Sequence, residues 1–483
     1  MSIFPETLKG TKYHLIGIKG TGMTAMAQYL HKSGAEITGS DTKETFYTDE
    51  ILKSEGIVFK EGFSKANIPR KCDAVIYSAA YSPDTNDELA WAFELGLPTV
   101  VYPQALGELS LNKFCIGVAG VHGKTTTTAM IGTIVQRLGL PGAVIVGSGV
   151  RNFKGSQVLH LGNDFLVAET CEYRRHFLHF SPDILIVTSI EADHLDYFKD
   201  YQDILNAFIE YADKLPGNGV LVYCDEDKGA CELADWAKAN RPDVRLLPYG
   251  SKETSSEWTV ADEKIQNGRL EFKLKCFSDR IFSIKTPGHH SVMNAAASLA
   301  SVAMLIRKRY GKPYIAYSSE FIEGLAAFDG TNRRSEVLFE NKDYLIMDDY
   351  AHHPTALRTT LRGLKALYPD RRLVVSFMSH TYSRTNSLFN DFVDSLTEAD
   401  MVFLHKIYPS AREVKQPDSV EGIDIYNRLR AKGQECEYID EPEEAVVPVL
   451  DILKPGDIFI TLGAGNNWII SHEIAKKMET GTI

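Results

Sequence analysis

A chain of 483 residues is too long for one ordinary hydrophobic core, so about two to four domains are expected. Its 44% hydrophobic and 24% charged content is that of an ordinary globular protein, and a net charge of −12 without a long basic tract argues against nucleic acid as a partner. No stretch approaches the apolar length that crosses a membrane, Met1 to Lys12 holds no signal core, and seven cysteines without Cys-x-x-Cys spacing read as reduced thiols of a cytoplasmic protein, not as a zinc site.

Residues 13–18 read as a strand and residues 23–33 as the helix after it. The joining loop carries Gly17, Gly20, Thr21 and Gly22, a G-x-x-G-x-G variant of the dinucleotide fingerprint. In that fingerprint backbone N–H groups and the positive end of a helix face a phosphate. The next strand, about residues 36–39, ends at Ser40 and Asp41, where a doubly wound fold places an acid for a ribose hydroxyl. A further strand over residues 74–77 leads into Ser78. Residues 1–110 are read as a Rossmann-like domain for a nucleotide or nucleotide-sugar diphosphate. The bland alternative is a corner whose glycines serve close packing only.

Residues 111–327 open on a buried strand (114–118) and a helix (125–138) that flank Gly120, Val121, His122, Gly123, Lys124, Thr125 and Thr126. The turn reads as a phosphate cradle: backbone N–H groups face the anion, Lys124 adds charge, and the Thr125 hydroxyl suits Mg²⁺. The fit to the general pattern is imperfect, because Val118 stands where its first glycine belongs. Four threonines opening the helix favour function, since β-branched residues are poor helix formers unless their hydroxyls have a use. Strands expected at 165–169 and 183–190 end in acids: Glu169 and Glu172 after the first, then Glu191, Asp193, His194 and Asp196 after the second. Carboxylates at strand ends beside a phosphate loop are where an ATP–Mg²⁺ site needs oxygen ligands. Arg174, Arg175 and His176 form a basic cluster that either clamps an anionic substrate or starts an exposed helix. Short antiparallel strands follow over 250–285. Pro287 then opens an alanine-rich helix running to about Ile306, whose His290 and Asn294 either face a base or cap the helix.

Residues 328–483 return to strand–helix alternation, with strands expected at 344–348, 372–377, 401–404 and 458–462, which is another α/β domain. Arg333 and Arg334 sit at its start. Polar clusters follow at strand ends: Asp348, Asp349, Tyr350, His352 and His353, then His380 and Arg384, then Gly463 to Asn466.

Taken in order, these stretches resemble the Mur ligase family over essentially the whole chain. The matching residues are Gly17 to Gly22, Gly120 to Thr126, Ile190 to His194, Gly288 to His290 with Asn294, Arg333 with Arg334, Asp348 to Thr355, and His380 to Thr385. Departures from the family pattern stand at Phe63, Ser189, Ser291, Ala356, Met378 and Ser379. The resemblance implies an α/β protein of three domains. These are a Rossmann-like UDP-sugar-binding domain (1–110), a central P-loop ATPase domain with a mostly parallel sheet (111–327), and a C-terminal Rossmann-like α/β domain for the amino acid (328–483).

It further implies an ATP- and Mg²⁺-dependent ligase of peptidoglycan precursor synthesis, a monomer or homodimer. Such an enzyme joins L-alanine to UDP-N-acetylmuramate through an acyl phosphate. Murein tripeptide is the alternative amine, and a sugar-independent ATPase is a more distant reading. Carried over residue by residue, ATP falls to Gly120 through Thr126, His290, Asn294 and Arg333. The UDP-sugar falls to Gly20, Thr21, Gly22, Asp41, Ser78 and Arg175, and the amino acid to Tyr350, His352, His380 and Arg384. Metal falls to Thr125, Glu169 and His194. The reacting groups would be Lys124, His194, His352, His353 and Arg384, with His352 or His353 as base.

Overall fold

The computed structural model describes residues 3–111, 113–194, 197–252, 256–277, 279–286, 288–409 and 419–481. Asp196 and Pro287, both part of the reading above, lie outside the described residues.

The described residues form three sheets. The first is wholly parallel, in the order Val58–Glu61, Glu36–Asp41, Lys12–Ile16, Ala74–Tyr77, Thr99–Val101. Its strand order reverses direction beside Lys12–Ile16, which is where open α/β sheets place a ligand crevice. The loop with Gly17, Gly20 and Gly22 leaves that strand. The helix after it is Thr21–Lys32, starting two residues earlier than expected, so Thr21 and Gly22 belong to its first turn.

The second sheet has ten strands. Seven of them run parallel from Trp258–Gln266 through Arg245–Gly250, Val220–Cys224, Ile184–Val187, Phe114–Ala119 and Phe165–Glu169 to Ala143–Ile145. Arg269–Leu274 and Ile281–Ile284 extend one edge antiparallel, and Val158–His160 the other. The strand expected over 183–190 is only Ile184–Val187. Thr188 and Ser189 leave the ladder to serve the phosphate loop: Ser189 O accepts from Val121 N at 3.0 Å and the Thr188 hydroxyl donates to Ala119 O at 3.2 Å. The alanine-rich helix is His289–Tyr310, buried over most of its length against this sheet.

The third sheet runs Glu336–Glu340, Leu345–Asp349, Ile458–Gly463, Leu373–Met378, Met401–Leu404, Cys436–Tyr438, parallel except for its first strand. Helices cover both faces, leaving apolar clusters on either side of the central strands. One apolar cluster joins the first two sheets through Ala105, Leu106 and Leu109 of helix Tyr102–Ser110, which meet Phe177, Phe180 and Phe208.

Candidate active site

The strands Phe114–Ala119, Phe165–Glu169 and Ile184–Val187 end side by side, and their loops build the site. Helix Lys124–Leu138 follows the phosphate loop with no side-chain cap, leaving its first N–H groups for a ligand. Gly123 has φ +80, and a side chain there would press on Asn294, so glycine is required on both counts. The ammonium of Lys124 lies across the loop. It donates to Gly120 O, to Val121 O at 3.4 Å and to both Glu172 oxygens at 2.9 and 3.2 Å. Burial pushes the Glu172 carboxyl up, but Lys124 and then His194 outweigh it and hold it below its ordinary range. For Lys124 burial pulls down, and Glu172 foremost turns the net shift upward, so the pair is ionised.

Thr125 donates its hydroxyl to Glu169 at 2.9 and 3.1 Å, and the Gly147 N–H caps the same carboxylate at 2.9 Å. These are hard oxygens, the donor type Mg²⁺ takes. His194 Nε2 stands 3.6 Å from Glu172 Oε1 and 3.8 Å from Asp193 Oδ2.

The third sheet closes on this edge. Arg334 donates to the Thr125 hydroxyl at 3.3 Å and Thr355 to Glu191 at 3.3 Å. Arg384 takes Asp193 Oδ1 through Nε at 3.2 Å and Nη2 at 2.9 Å, Asp193 being buried and Arg384 partly so. Burial alone would raise the Asp193 carboxyl, but Arg384, followed by His194, His352 and His353, holds it far below the usual carboxylate range. Arg384 also donates to His380 Nδ1 at 3.3 Å. Arg333 and Arg334 both approach the Tyr350 ring, their guanidinium carbons 5.1 and 5.2 Å from its centre. Arg333 itself is buried, donating to Asp348 at 3.0 Å and Gly463 O at 2.8 Å. The first sheet reaches the same place: Tyr47 donates to or accepts from Thr21 at 2.9 Å and lies close enough to feel Tyr350, Arg333 and Arg334, while Tyr408 donates to Glu44 at 3.2 Å.

His122, Glu191 and His353 bring ligand atoms within 4.8 Å of one another. A metal there is disfavoured by the His353 tautomer. Its Nδ1 accepts the Thr355 N–H at 3.3 Å, so the remaining nitrogen carries the proton.

Three of the expected site residues are engaged by partners within the protein. Asp41 does not present a free carboxylate to a ribose: it is 4% exposed, and its oxygens accept the N–H groups of Lys19 at 2.7 Å and Thr42 at 2.8 Å, which holds the glycine loop in shape. Arg175 is engaged by Asp203 at 2.7 Å and by Glu210, both on helix Tyr201–Asp213, with no bond to the first sheet among the described residues. Asn294 accepts from the Thr127 hydroxyl at 3.3 Å and lies under Gly123, supporting the loop. His290 is pushed down to about 4 by burial, with His289 and His122 adding to the effect. Ser78 Oγ accepts from Ala80 N at 3.3 Å beside Gly17. Sequence reasoning passed over Tyr47, Glu44 and Tyr408, which reach the site from distant loops and carry no local pattern.

Comparison with known proteins follows the same division. Residues 12–114 match the description "Mur ligase family, catalytic domain", residues 118–302 "Mur ligase middle domain", and residues 333–465 "Mur ligase, glutamate ligase domain". The chain is 47% identical over 463 residues to a UDP-N-acetylmuramate–L-alanine ligase of Treponema pallidum, covering 96% of each chain. It is 36% identical to the ligase so named in Borreliella burgdorferi, covering 94% of this chain and 96% of that one. Among solved structures it is similar in fold to a UDP-N-acetylmuramate–alanine ligase of Thermotoga maritima, with a TM-score of 0.78 and 24% identity over 97% of this chain and 99% of that one. A murein peptide ligase of Psychrobacter arcticus follows at 0.67 and 23%, over 97% and 98% of the two chains.

Proposed function

The chain belongs to the Mur ligase family, and from that premise we propose that it joins L-alanine to UDP-N-acetylmuramate with ATP, through an acyl phosphate, in peptidoglycan precursor synthesis. The observation that carries the reading is the 47% identity, over 96% of each chain, to a ligase named for that reaction. The geometry supports it. A carboxylate is a poor electrophile until it takes a phosphoryl group, and that transfer needs positioning and charge neutralisation more than covalent help.

In this reading residues 111–327 bind ATP, with Lys124 and the N–H groups of residues 120–126 on its phosphates and Arg333 and His290 nearby. Thr125 and Glu169 fit Mg²⁺ and would hold it, and the ion when bound neutralises phosphate charge. His194 is kept as the ligand of a second Mg²⁺ on family resemblance alone, because an imidazole is a soft choice for that ion. Residues 1–110 hold the UDP-sugar on Gly20, Thr21, Gly22 and Ser78, with Asp41 shaping that loop. Residues 328–483 hold the amino acid, whose carboxylate takes Arg384 from Asp193. Closure of the third sheet on the second excludes water from a hydrolysable intermediate. We place the chain in the cytoplasm, as a monomer or homodimer. Among the described residues no helix is long and apolar enough to cross a membrane, and the seven cysteines are unpaired.

The test is ATP-dependent phosphate release with UDP-N-acetylmuramate and each amine in turn. Release driven best by L-alanine, with the alanyl product formed, is expected. Release driven only by L-Ala-γ-D-Glu-meso-diaminopimelate would move the chain to recycling, and release indifferent to the sugar nucleotide would leave an ATPase.

A further inference from the structure

Two histidines adjacent in sequence are held in opposite tautomers by their hydrogen-bond partners. His352 Nδ1 lies 2.8 Å from Tyr350 O. A carbonyl only accepts, so Nδ1 carries the hydrogen and Nε2 keeps its lone pair. His353 is the N-cap of helix Pro354–Leu367, and its Nδ1 accepts the Thr355 N–H at 3.3 Å. Here the neutral ring must carry its hydrogen on Nε2. Both rings are neutral at pH 7. Burial first, then Arg384, pulls His352 well below its ordinary value, and burial with His122 pulls His353 down to about 4.

The two rings also face different chemistry. His352 stands 6.1 Å from His380, the ring that Arg384 bonds, in the part of the site assigned to the amino acid. His353 stands 5.3 Å from His122 of the phosphate loop, and its Nε2 is buried without a partner. A buried donor left unpaired costs free energy, so it calls for an acceptor.

Resting on the ligase reading above, we propose that His352 takes the proton of the incoming amine through Nε2 and that His353 donates through Nε2–H to a phosphoryl oxygen. The ammonium gives one proton to His352, and its nitrogen lone pair attacks the acyl carbon. As the C–N bond forms, the C–O bond to phosphate breaks. Phosphate leaves with that electron pair and takes a second proton from nitrogen. The amide keeps one N–H, and the imidazolium of His352 releases its proton to solvent afterwards. Burial is the larger cause of the low basicity of His352; the amino acid's carboxylate at Arg384 offsets the second, the guanidinium charge.

Hydroxylamine separates the two roles, because near neutral pH it arrives as the free base and traps acyl phosphates as hydroxamates. His352→Asn keeps a donor for Tyr350 O and deletes Nε2. It should lower alanine ligation about 10²–10⁴-fold, the usual worth of a positioned base, while hydroxamate formation stays within a few-fold of wild type. His353→Asn keeps a good N-cap and deletes the Nε2–H. It should lower alanine and hydroxylamine turnover together, and His353→Gln, with an amide N–H in place of Nε2–H, should recover part of both. Equal loss of both products in His352→Asn, or loss of alanine ligation alone in His353→Asn, would overturn the assignment. Wild-type protein that makes no hydroxamate from UDP-N-acetylmuramate and ATP would instead overturn the ligase reading itself.

Discussion

Loop 17–22 and loop 120–124 each join a buried parallel strand to a helix whose N-terminus no side chain caps. Asn86, Asp200 and Asp227 cap their helices in the usual way, while these two ends, like several others, have no such cap. Both loops therefore offer bare N–H groups and a positive helix end to an anion. Their lysines differ. Lys19 is 1% exposed and turned away from its helix end, 3.1 Å from Asp49, donating to Thr42 O at 3.1 Å and Glu44 O at 2.9 Å between the rings of Phe46 and Phe59. Lys124 crosses its own loop beside Glu172 and can exchange those partners for phosphate oxygens. The first loop offers an anion its backbone alone. The second adds mobile charge and an acid–hydroxyl pair, which is what a phosphoryl transfer needs.

That contrast breaks first at Lys124. Lys124→Ala should cut the turnover number about 10²–10³-fold, or ~3–4 kcal/mol of barrier, as loss of one charge-stabilising donor does, while UDP-sugar affinity measured by calorimetry is unchanged. Near-normal turnover would remove the ATP site from this loop. Lys19→Met should act on stability instead, costing about 3 kcal/mol because Asp49 is left buried and unpaired; equilibrium urea unfolding reads it, and an unchanged midpoint would make the lysine dispensable.

Arg384→Ala should raise the KM for alanine roughly 10–100-fold, the worth of about 1.5–3 kcal/mol for hydrogen bonds to a charged group, with ATP affinity unaltered. Asp41→Ala should weaken the UDP-sugar by about tenfold through loss of its two backbone bonds to the loop. Equal weakening of ATP would contradict the division of labour.

The smallest effect is global. His290, His353 and His405 are held near 4 chiefly by burial, whereas their ordinary value is 6.5. Unfolded chains take up protons at pH 6.5 that the folded rings refuse until about 4. Their contribution is thus present above pH 6.5 and lost as pH falls through that window. The melting temperature should decline from pH 6.5 to 4, and His405→Gln, remote from the ligand residues, should flatten the decline.

Much of this was legible in the sequence because buried parallel strands are apolar almost throughout. Phe165–Glu169, Ala74–Tyr77 and Met401–Leu404 have the bounds their composition indicates. Val58–Glu61, Thr99–Val101 and Cys436–Tyr438 were not legible, because they are mostly half-buried or exposed and so make no clear apolar run. In the site, glycines and strand-end acids could be named from spacing alone. What each acid touches could not. Asp41 turns to backbone, Asp193 to Arg384 and Glu172 to Lys124, each pairing residues far apart in the chain. The partners of Arg175 were hidden for the same reason, since they lie on a helix about thirty residues away that nothing local announces.

The most direct test of the central claim is to follow a heavy-oxygen label placed in the lactyl carboxylate of UDP-N-acetylmuramate during turnover with ATP and L-alanine. Transfer of a labelled oxygen into the released phosphate is predicted, because the carboxylate oxygen leaves with the phosphoryl group. Unlabelled phosphate would mean that water, not the sugar carboxylate, receives the phosphoryl group at Lys124, and would contradict acyl phosphate formation by this chain.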